Sequence, residues 1–157
     1  TFCPGFRIGW VCAEKSILNK YVIVKQGADL QCTTTLQRAA AKYMQEHDLN
    51  KHIEKIKVVY KRRRDVMVKA IKDYFPSDCK YTYPQGGLFI WVELNSKLNS
   101  VDVLQKALEN KVAFVPGNSF FPNGGKYNFM RLNYSYLPDD KIVEGIQRLG
   151  SVIKSMY

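Results

Sequence analysis

Hydrophobic residues recur at helical spacing through the first third of the chain. Apolar positions three and four residues apart predict a short helix that begins with Ser16 as its N-cap and ends at Gln26-Gly27. A second helix follows the threonines 33–35, with Leu36 among the apolar residues on its inner side. The pattern predicts two consecutive helices before residue 48.

A long helix is predicted next, from about Asp48 to Phe75, and Pro76 ends it. Helices of this length in globular proteins are typical of segments that run from one domain to another. A coiled coil is the alternative, but Arg63 and Ala70 lie in the apolar seam and disfavour it.

From Lys80 onward the periodicity changes from helical to alternating. Apolar and polar residues alternate in short runs bounded by glycine, proline and asparagine, which is typical of β-strands. The predicted strands are 81–83, 88–94, 112–115 and 128–135, with helices at 101–108 and after Pro138. Helices followed by strands mixed with further helices indicate the α+β class, with a small open sheet covered by helices.

The strand over residues 128–135 carries a lone arginine. The residues on one face are Met130, Leu132, Tyr134 and Tyr136, and those on the other are Phe129, Arg131, Asn133 and Ser135. A guanidinium in mid-strand needs an anion, because an unpaired buried charge is very costly. The anion is either an Asp or Glu elsewhere in the chain or a ligand carboxylate, which the planar guanidinium grips through two parallel hydrogen bonds.

A second arginine lies near the start of the chain, in a predicted strand over Phe6–Ala13. At period two, Gly5, Arg7 and Gly9 share a face, so residues without side chains flank the guanidinium and leave room for a ligand to approach. A bulge or tight packing explains the glycines equally well. This strand does not belong with the small sheet, and we interpret it as the remnant of a larger domain.

Composition excludes several classes of protein. The chain has 157 residues with 46% hydrophobic and 13% aromatic residues, which is ordinary for a globular protein, and no apolar run approaches membrane-spanning length. The four cysteines lack CxxC spacing, and His47 and His52 do not share a helix face, so no metal site is expected. No catalytic triad and no phosphate-binding glycine motif occur.

The net charge of +10 raises the question of nucleic-acid binding. Its densest cluster is Lys61–Arg64, which lies inside the long helical pattern and directly before Asp65. A solvated helix face is the favoured explanation. The basic excess also suits a protein that handles anionic small molecules.

Several segments, in this order, resemble the class I/II aminotransferases, the large pyridoxal-phosphate (PLP) family. Pro4–Trp10 resembles the segment that follows the cofactor lysine, and Pro84–Trp91 resembles the start of the small-domain sheet. Val115–Phe121, followed by Phe129–Ser135, resembles the final strand of the family and the segment that leads to it. His52–Asp65 fits the inter-domain helix of the branch that includes aromatic and 2-aminoadipate aminotransferases.

The resemblance implies a role for three residues and a division into domains. Arg7 resembles the arginine that binds the PLP phosphate, and Arg131 the arginine that pairs with the substrate α-carboxylate. Gly117 is expected to line the substrate entrance. Residues 1–50 are expected to be the C-terminal remnant of the large PLP-binding domain, and residues 51–157 the small C-terminal domain with the long inter-domain helix.

The family moves an amino group between an amino acid and a 2-oxo acid by a ping-pong reaction. Its members are expected to be cytoplasmic homodimers that bind neither nucleic acid nor membrane. The lysine that forms the Schiff base in the family is expected immediately before the position of Thr1, so no catalytic residue is assigned here. The chain by itself is therefore expected to be inactive.

Two other functions stay open. One is a transcription regulator in which a winged-helix domain is fused to a PLP-sensing, aminotransferase-like domain. The other is a small-molecule-binding α+β domain in which both arginines form internal ion pairs.

Overall fold

The computed structural model describes residues 3–157. Contacts divide the chain into one unit that ends at Ile56 and a second unit of Lys57–Tyr157. We describe each unit by itself. The boundary falls inside the long helix, which begins in the first unit and continues into the second.

The first unit is helical. It contains a single 3₁₀ turn at Pro4–Phe6, α1 at Lys15–Ala28, α2 at Thr34–Glu46 and the first turns of α3 at Leu49–Tyr74. The two predicted short helices are confirmed, but the cap of α1 lies earlier than Ser16. Glu14 is the N-cap, because its carboxylate accepts hydrogen bonds from the amide and the hydroxyl of Ser16.

The strand predicted over Phe6–Ala13 is wrong. Pro4–Phe6 form a 3₁₀ turn, and Arg7 ends it in the left-handed conformation, with φ of 53° and its amide donating to Pro4 O at 3.2 Å. Residues 8–14 pair with no strand in the described part of the chain. An isolated strand leaves its backbone groups without partners, so it does not form alone. Gly5, Arg7 and Gly9 consequently share no strand face, and within residues 3–157 no remnant strand of a larger sheet is seen.

The second unit is an antiparallel sheet with helices. The strands are β1 at Lys80–Tyr81, β2 at Phe89–Glu93, β3 at Val115–Pro116 and β4 at Phe129–Asn133, in the order β1-β2-β4-β3. The remaining helices are α4 at Ser100–Glu109 and α5 at Asp139–Ser155. The predicted α+β class with a small sheet is confirmed.

One face of the sheet forms the core with α3, α4 and α5. Ile90 and Val92 of β2 and Met130 and Leu132 of β4 are buried on this face. The apolar stripe of α5 is buried with them: Ile142, Ile146, Leu149 and Ile153. Each such side chain stabilises the fold by about 1.5–3 kcal/mol. The alternation of β4 therefore turns Arg131 to the face opposite the core.

β4 ends earlier than the sequence predicts. The side-chain oxygen of Asn133 accepts hydrogen bonds from the amide of Ser135 at 2.7 Å and from its hydroxyl at 2.8 Å. Such local bonds compete with a strand ladder. Tyr134 is still buried, but Tyr136, expected on the face of Met130, is 85% exposed.

Across residues 3–157, none of the helices combines the length and the apolar character that crossing a bilayer requires.

A close approach of two helices in the second unit generates a stability prediction. A Cβ at Gly150 of α5 would lie 2.6 Å from the carbonyl oxygen of Tyr74, whereas a Cβ at Gly145 of the same helix would meet nothing within 4 Å. Gly150→Ala is expected to lower the free energy of unfolding by about 1–3 kcal/mol, because α5 must move away from α3. The matched control Gly145→Ala is expected to raise it by up to about 1 kcal/mol. Urea unfolding measures both, and equal effects of the two variants would contradict this packing.

Candidate functional site

Arg131 lies at the centre of β4, on the face opposite the core of the second unit. Its strand neighbours are Trp91 of β2 on one side and Val115 of β3 on the other. The residue is half-buried, while Met130 and Leu132 beside it point into the core. The sheet thus holds the backbone of an arginine in place, with its side chain at the boundary with solvent.

No internal carboxylate neutralises Arg131. In the described part of the chain no ion pair includes this residue, and its Nε is buried without a hydrogen-bond partner. Of the two anions left open by the sequence, the internal Asp or Glu is therefore excluded for residues 3–157. The remaining interpretation is that Arg131 binds the carboxylate of a ligand.

Aromatic rings contact Arg131 in place of an acid. Its guanidinium carbon lies over the Phe89 ring, 4.1 Å from the centroid, and over the Phe120 ring at 4.8 Å. Contacts within about 6 Å of a ring centroid are attractive cation–π interactions. Phe89 begins β2, and Phe120 ends a 3₁₀ turn at Asn118–Phe120.

The two rings belong to a larger aromatic cluster on the same face. The Trp91 ring contacts Phe120 edge-on at 5.5 Å and stacks on Phe129 at 5.8 Å. Phe121 packs against both Trp91 and Phe129, and the Lys126 ammonium lies over the Phe121 ring at 5.2 Å. The loop after β3 is therefore attached to the outer sheet face through its phenylalanines.

Gly117 has a packing reason to be glycine. Its amide donates to the carbonyl oxygen of Phe129 at 2.7 Å, and a Cβ there would lie 2.5 Å from the Phe129 Cβ. Its φ of −82° is ordinary, so the requirement is close approach and not backbone strain. This approach brings the loop with Phe120 onto β4. The expected role of Gly117 at a substrate entrance stays a prediction.

A cavity of about 610 Å³ adjoins the site. Its wall includes Arg131, Phe89, Phe114 and Ile146, and most of the other lining side chains are apolar. Lys141 of α5 contributes a second cation. The cavity can take an apolar group next to the guanidinium.

Arg7 belongs to the first unit, and its side chain is exposed. Its guanidinium makes a long contact with the backbone, from Nη1 to Pro4 O at 3.5 Å. No described carboxylate pairs with it. The role of Arg7 in phosphate binding stays a prediction.

The basic run Lys61–Arg64 is not simply a solvated helix face, and that expectation is corrected. Arg62 pairs with Asp139 at 3.1 Å, Arg63 donates to the carbonyl oxygen of Ser135, and Arg64 donates to Pro84 O at 3.0 Å. Ser135 and Pro84 lie in the loops that flank β4 and β2, and Asp139 begins α5. Helical periodicity does not show these partners, because they are distant in sequence.

Four side chains hold the loop that leads into β2, and the sequence alone indicated this role for none of them. Arg64 donates to Asp65 at 2.7 Å and this bond holds the pKa of the Asp65 carboxyl below its usual value. Tyr83 donates to the same carboxylate at 3.1 Å, and the Tyr134 hydroxyl donates to Gly87 O at 2.8 Å. The segment that carries Phe89 towards Arg131 is thereby fixed at both ends.

Comparison with known proteins gives a family match. The family model described as aminotransferase class I and II matches residues 2–149. The aromatic-amino-acid aminotransferase 1 of Thermococcus litoralis is 46% identical over 152 residues, which cover 96% of this chain and 36% of that protein. The chain thus spans little more than a third of that relative.

Solved structures agree. The α-aminoadipate aminotransferase of Thermus thermophilus, complexed with N-(5'-phosphopyridoxyl)-L-leucine, superposes with a TM-score of 0.89 at 37% identity. The match covers 98% of this chain and 39% of that one.

A more distant sequence relative is an uncharacterised HTH-type transcriptional regulator of Bacillus subtilis. It is 26% identical over 156 residues, which cover 32% of its length.

Within residues 3–157, no group of three or more His, Cys, Asp or Glu side chains is arranged to hold a metal ion.

Tyr134 generates a prediction for stability and pH. Burial raises the pKa of its hydroxyl above the ordinary value of 10.0. A group with a raised folded pKa contributes stability that is fully present below its unfolded pKa and is lost as the pH rises through the folded pKa. Tyr134→Phe is expected to lower the free energy of unfolding by about 1 kcal/mol at neutral pH, through the lost bond to Gly87.

The same variant is expected to show a weaker loss of stability than the wild type as the pH rises above the ordinary tyrosine pKa of 10.0. Denaturant unfolding from about pH 7 to about pH 11 measures both effects. The exposed Tyr127→Phe is the control and should leave the alkaline profile unchanged. Identical profiles for wild type and Tyr134→Phe would contradict the assignment.

Proposed function

Since the chain belongs to the aminotransferase class I and II family, we propose that it is the C-terminal part of a PLP-dependent aminotransferase. The whole protein would transfer an amino group between an amino acid and a 2-oxo acid. The observation that carries the proposal is the Arg131 guanidinium, which is half-buried and has no carboxylate partner within residues 3–157.

In this proposal Arg131 binds the α-carboxylate of the substrate. A planar guanidinium donates two parallel hydrogen bonds to a carboxylate, which fixes the orientation as well as the position of the bound group. Attachment to β4, with Trp91 and Val115 on either side, holds the base of the side chain. Partial burial strengthens the charge-assisted bonds, because fewer water molecules compete for the donors.

Arg7 is proposed to hold the PLP phosphate. Its side chain is exposed, and a single long contact to Pro4 O is a weak constraint, so the guanidinium is available to a dianion. Arg7 therefore fits the phosphate group of the cofactor. When bound, PLP supplies the electron-withdrawing ring that makes amino transfer feasible. Residues 1–50 would belong to the large PLP-binding domain, and residues 51–157 to the small domain.

The remaining parts of the proposal rest on the family resemblance. Gly117 would line the substrate entrance, beside the loop that it attaches to Phe129. The whole protein would be a cytoplasmic homodimer that binds neither nucleic acid nor membrane. Because the family lysine that binds PLP has no counterpart assigned in these 157 residues, the chain alone would be inactive.

A PLP-sensing domain of a winged-helix regulator is the second candidate. The similarity to the Bacillus subtilis regulator favours it. Against it, Arg62, Arg63 and Arg64 are engaged with Asp139, Ser135 and Pro84, so they form less of a basic surface for a partner. The coding sequence upstream of Thr1 separates the aminotransferase from the regulator, because a regulator would encode a winged helix there.

The carboxylate role of Arg131 predicts the kinetics of a conservative variant. In the full-length protein, Arg131→Lys keeps the charge but loses the bidentate geometry, so KM for the amino donor is expected to rise about tenfold or more. Steady-state kinetics with L-phenylalanine, L-glutamate and L-2-aminoadipate measure the effect. Arg148→Lys is the matched control, since Arg148 pairs with Glu144 on the surface of α5.

An Arg131→Lys enzyme with an unchanged KM for every donor that it accepts would contradict the carboxylate role. A lower melting temperature with an unchanged KM would instead indicate a purely structural arginine.

A second prediction concerns the 157-residue chain alone. With added PLP, L-phenylalanine and 2-oxoglutarate, it is expected to form phenylpyruvate no faster than free PLP does. Chromatographic quantification of phenylpyruvate measures the rate. Enzymatic turnover by the chain alone would contradict the assignment of the essential lysine to another part of the protein.

A further inference from the structure

The guanidinium of Arg131 is contacted by aromatic rings, and among residues 3–157 no hydrogen bond to its side chain is seen. Its guanidinium carbon lies 4.1 Å from the Phe89 ring centroid and 4.8 Å from that of Phe120, whereas its Nε has no hydrogen-bond partner among the described residues. A long arginine side chain has many rotamers, so something must restrict them if the guanidinium is to meet a carboxylate in one geometry.

The two rings are not explained by the hydrophobic core. Phe89 is 38% exposed and Phe120 is 44% exposed, and both lie on the outer side of the sheet, away from Ile90 and Met130. Neither ring belongs to the hydrophobic core of the second unit or packs against it. Their shared property is contact with the guanidinium of Arg131.

The Phe120 ring and the backbone that carries Phe89 are held in place by separate contacts. Phe120 meets the Trp91 ring edge-on at 5.5 Å, with 87° between the planes. Phe89 follows Leu88, whose carbonyl oxygen accepts from the Tyr134 amide at 3.2 Å, and Gly87, whose carbonyl oxygen accepts from the Tyr134 hydroxyl. The Phe120 ring and the Cα of Phe89 are therefore held beside Arg131.

Contact through rings suits a group that must bind an anion. Arginine stacks on aromatic rings through the face of the guanidinium, and its N–H donors point outward in the plane. A supporting carboxylate would occupy those donors and compete with the ligand. Two phenylalanines restrict the side chain without using a donor or cancelling the charge.

We propose that Phe89 and Phe120 are positioning residues, which hold the Arg131 guanidinium in the orientation that receives the substrate carboxylate. This inference rests on the proposed carboxylate role of Arg131. Neither phenylalanine is a catalytic residue, because each acts through Arg131.

The test compares leucine variants in the full-length protein. In Phe89→Leu and Phe120→Leu, KM for the amino donor is expected to rise roughly fivefold, which corresponds to the loss of one partly desolvated cation–π contact. The value of kcat is expected to change less than about twofold, because the ring affects binding of the carboxylate and not the reacting atoms. The donors are L-phenylalanine, L-glutamate and L-2-aminoadipate.

Two control variants separate orientation from packing. Phe121→Leu removes a ring from the same cluster that contacts Trp91 and Phe129, with no ring contact to Arg131 among the described residues, so its KM should stay within about twofold of the wild type. Phe89→Tyr keeps the ring and should restore the wild-type KM. Melting temperatures show whether each variant is folded, and Phe120→Leu tests the proposal independently if Phe89→Leu does not fold.

A double variant tests whether the rings act through Arg131. If they do, Phe89→Leu should raise KM much less in an Arg131→Lys background than in the wild type. Equal effects in both backgrounds, or a KM effect of Phe121→Leu as large as that of Phe89→Leu, would overturn the inference.

The outcomes also distinguish this inference from the proposed function. If Arg131→Lys alone leaves KM unchanged, the carboxylate role itself is wrong. If Arg131→Lys raises KM but neither leucine variant does, Arg131 binds the substrate without help from the rings.

Discussion

The antiparallel pairing of β2 with β4 runs from Phe89 opposite Asn133 to Glu93 opposite Phe129. The faces on which the side chains of these two strands lie depend on it. Because side chains alternate across a strand, this register buries Ile90 and Leu132 against the helices and turns Arg131 to the other face. A slip of one residue would bury the guanidinium in the core, at a cost that no acid in the described chain offsets.

The register also places an aromatic cluster on the outer face of the sheet. Phe89 and Trp91 of β2 share it with Phe129 of β4, and the loop after β3 adds Phe120. Close approach at Gly117 allows that loop to reach the sheet. The site is therefore a consequence of strand pairing and of one residue without a side chain, and it needs no strained backbone.

Two arginines of helix α3 donate hydrogen bonds to the loops that flank β4 and β2. Arg63 donates to Ser135 O directly after β4, and Arg64 donates to Pro84 O before β2. These bonds satisfy carbonyl groups in the loops next to the site, which would otherwise rely on water. A run of basic residues that by sequence suggests a solvated surface thus stabilises the ends of the two strands that carry the site.

The sequence by itself determined the helices, the α+β class, the alternation of β4 and the segments that identify the family, because periodicity and motifs are local properties. Arg131 was singled out on the same ground, as a charge in mid-strand. The tertiary structure decided that Phe6–Ala13 forms no strand, that Arg63 binds Ser135, and that Phe120 contacts Arg131. These outcomes depend on partners distant along the chain, or on the absence of a pairing strand among the described residues, and the local pattern carries no information about either.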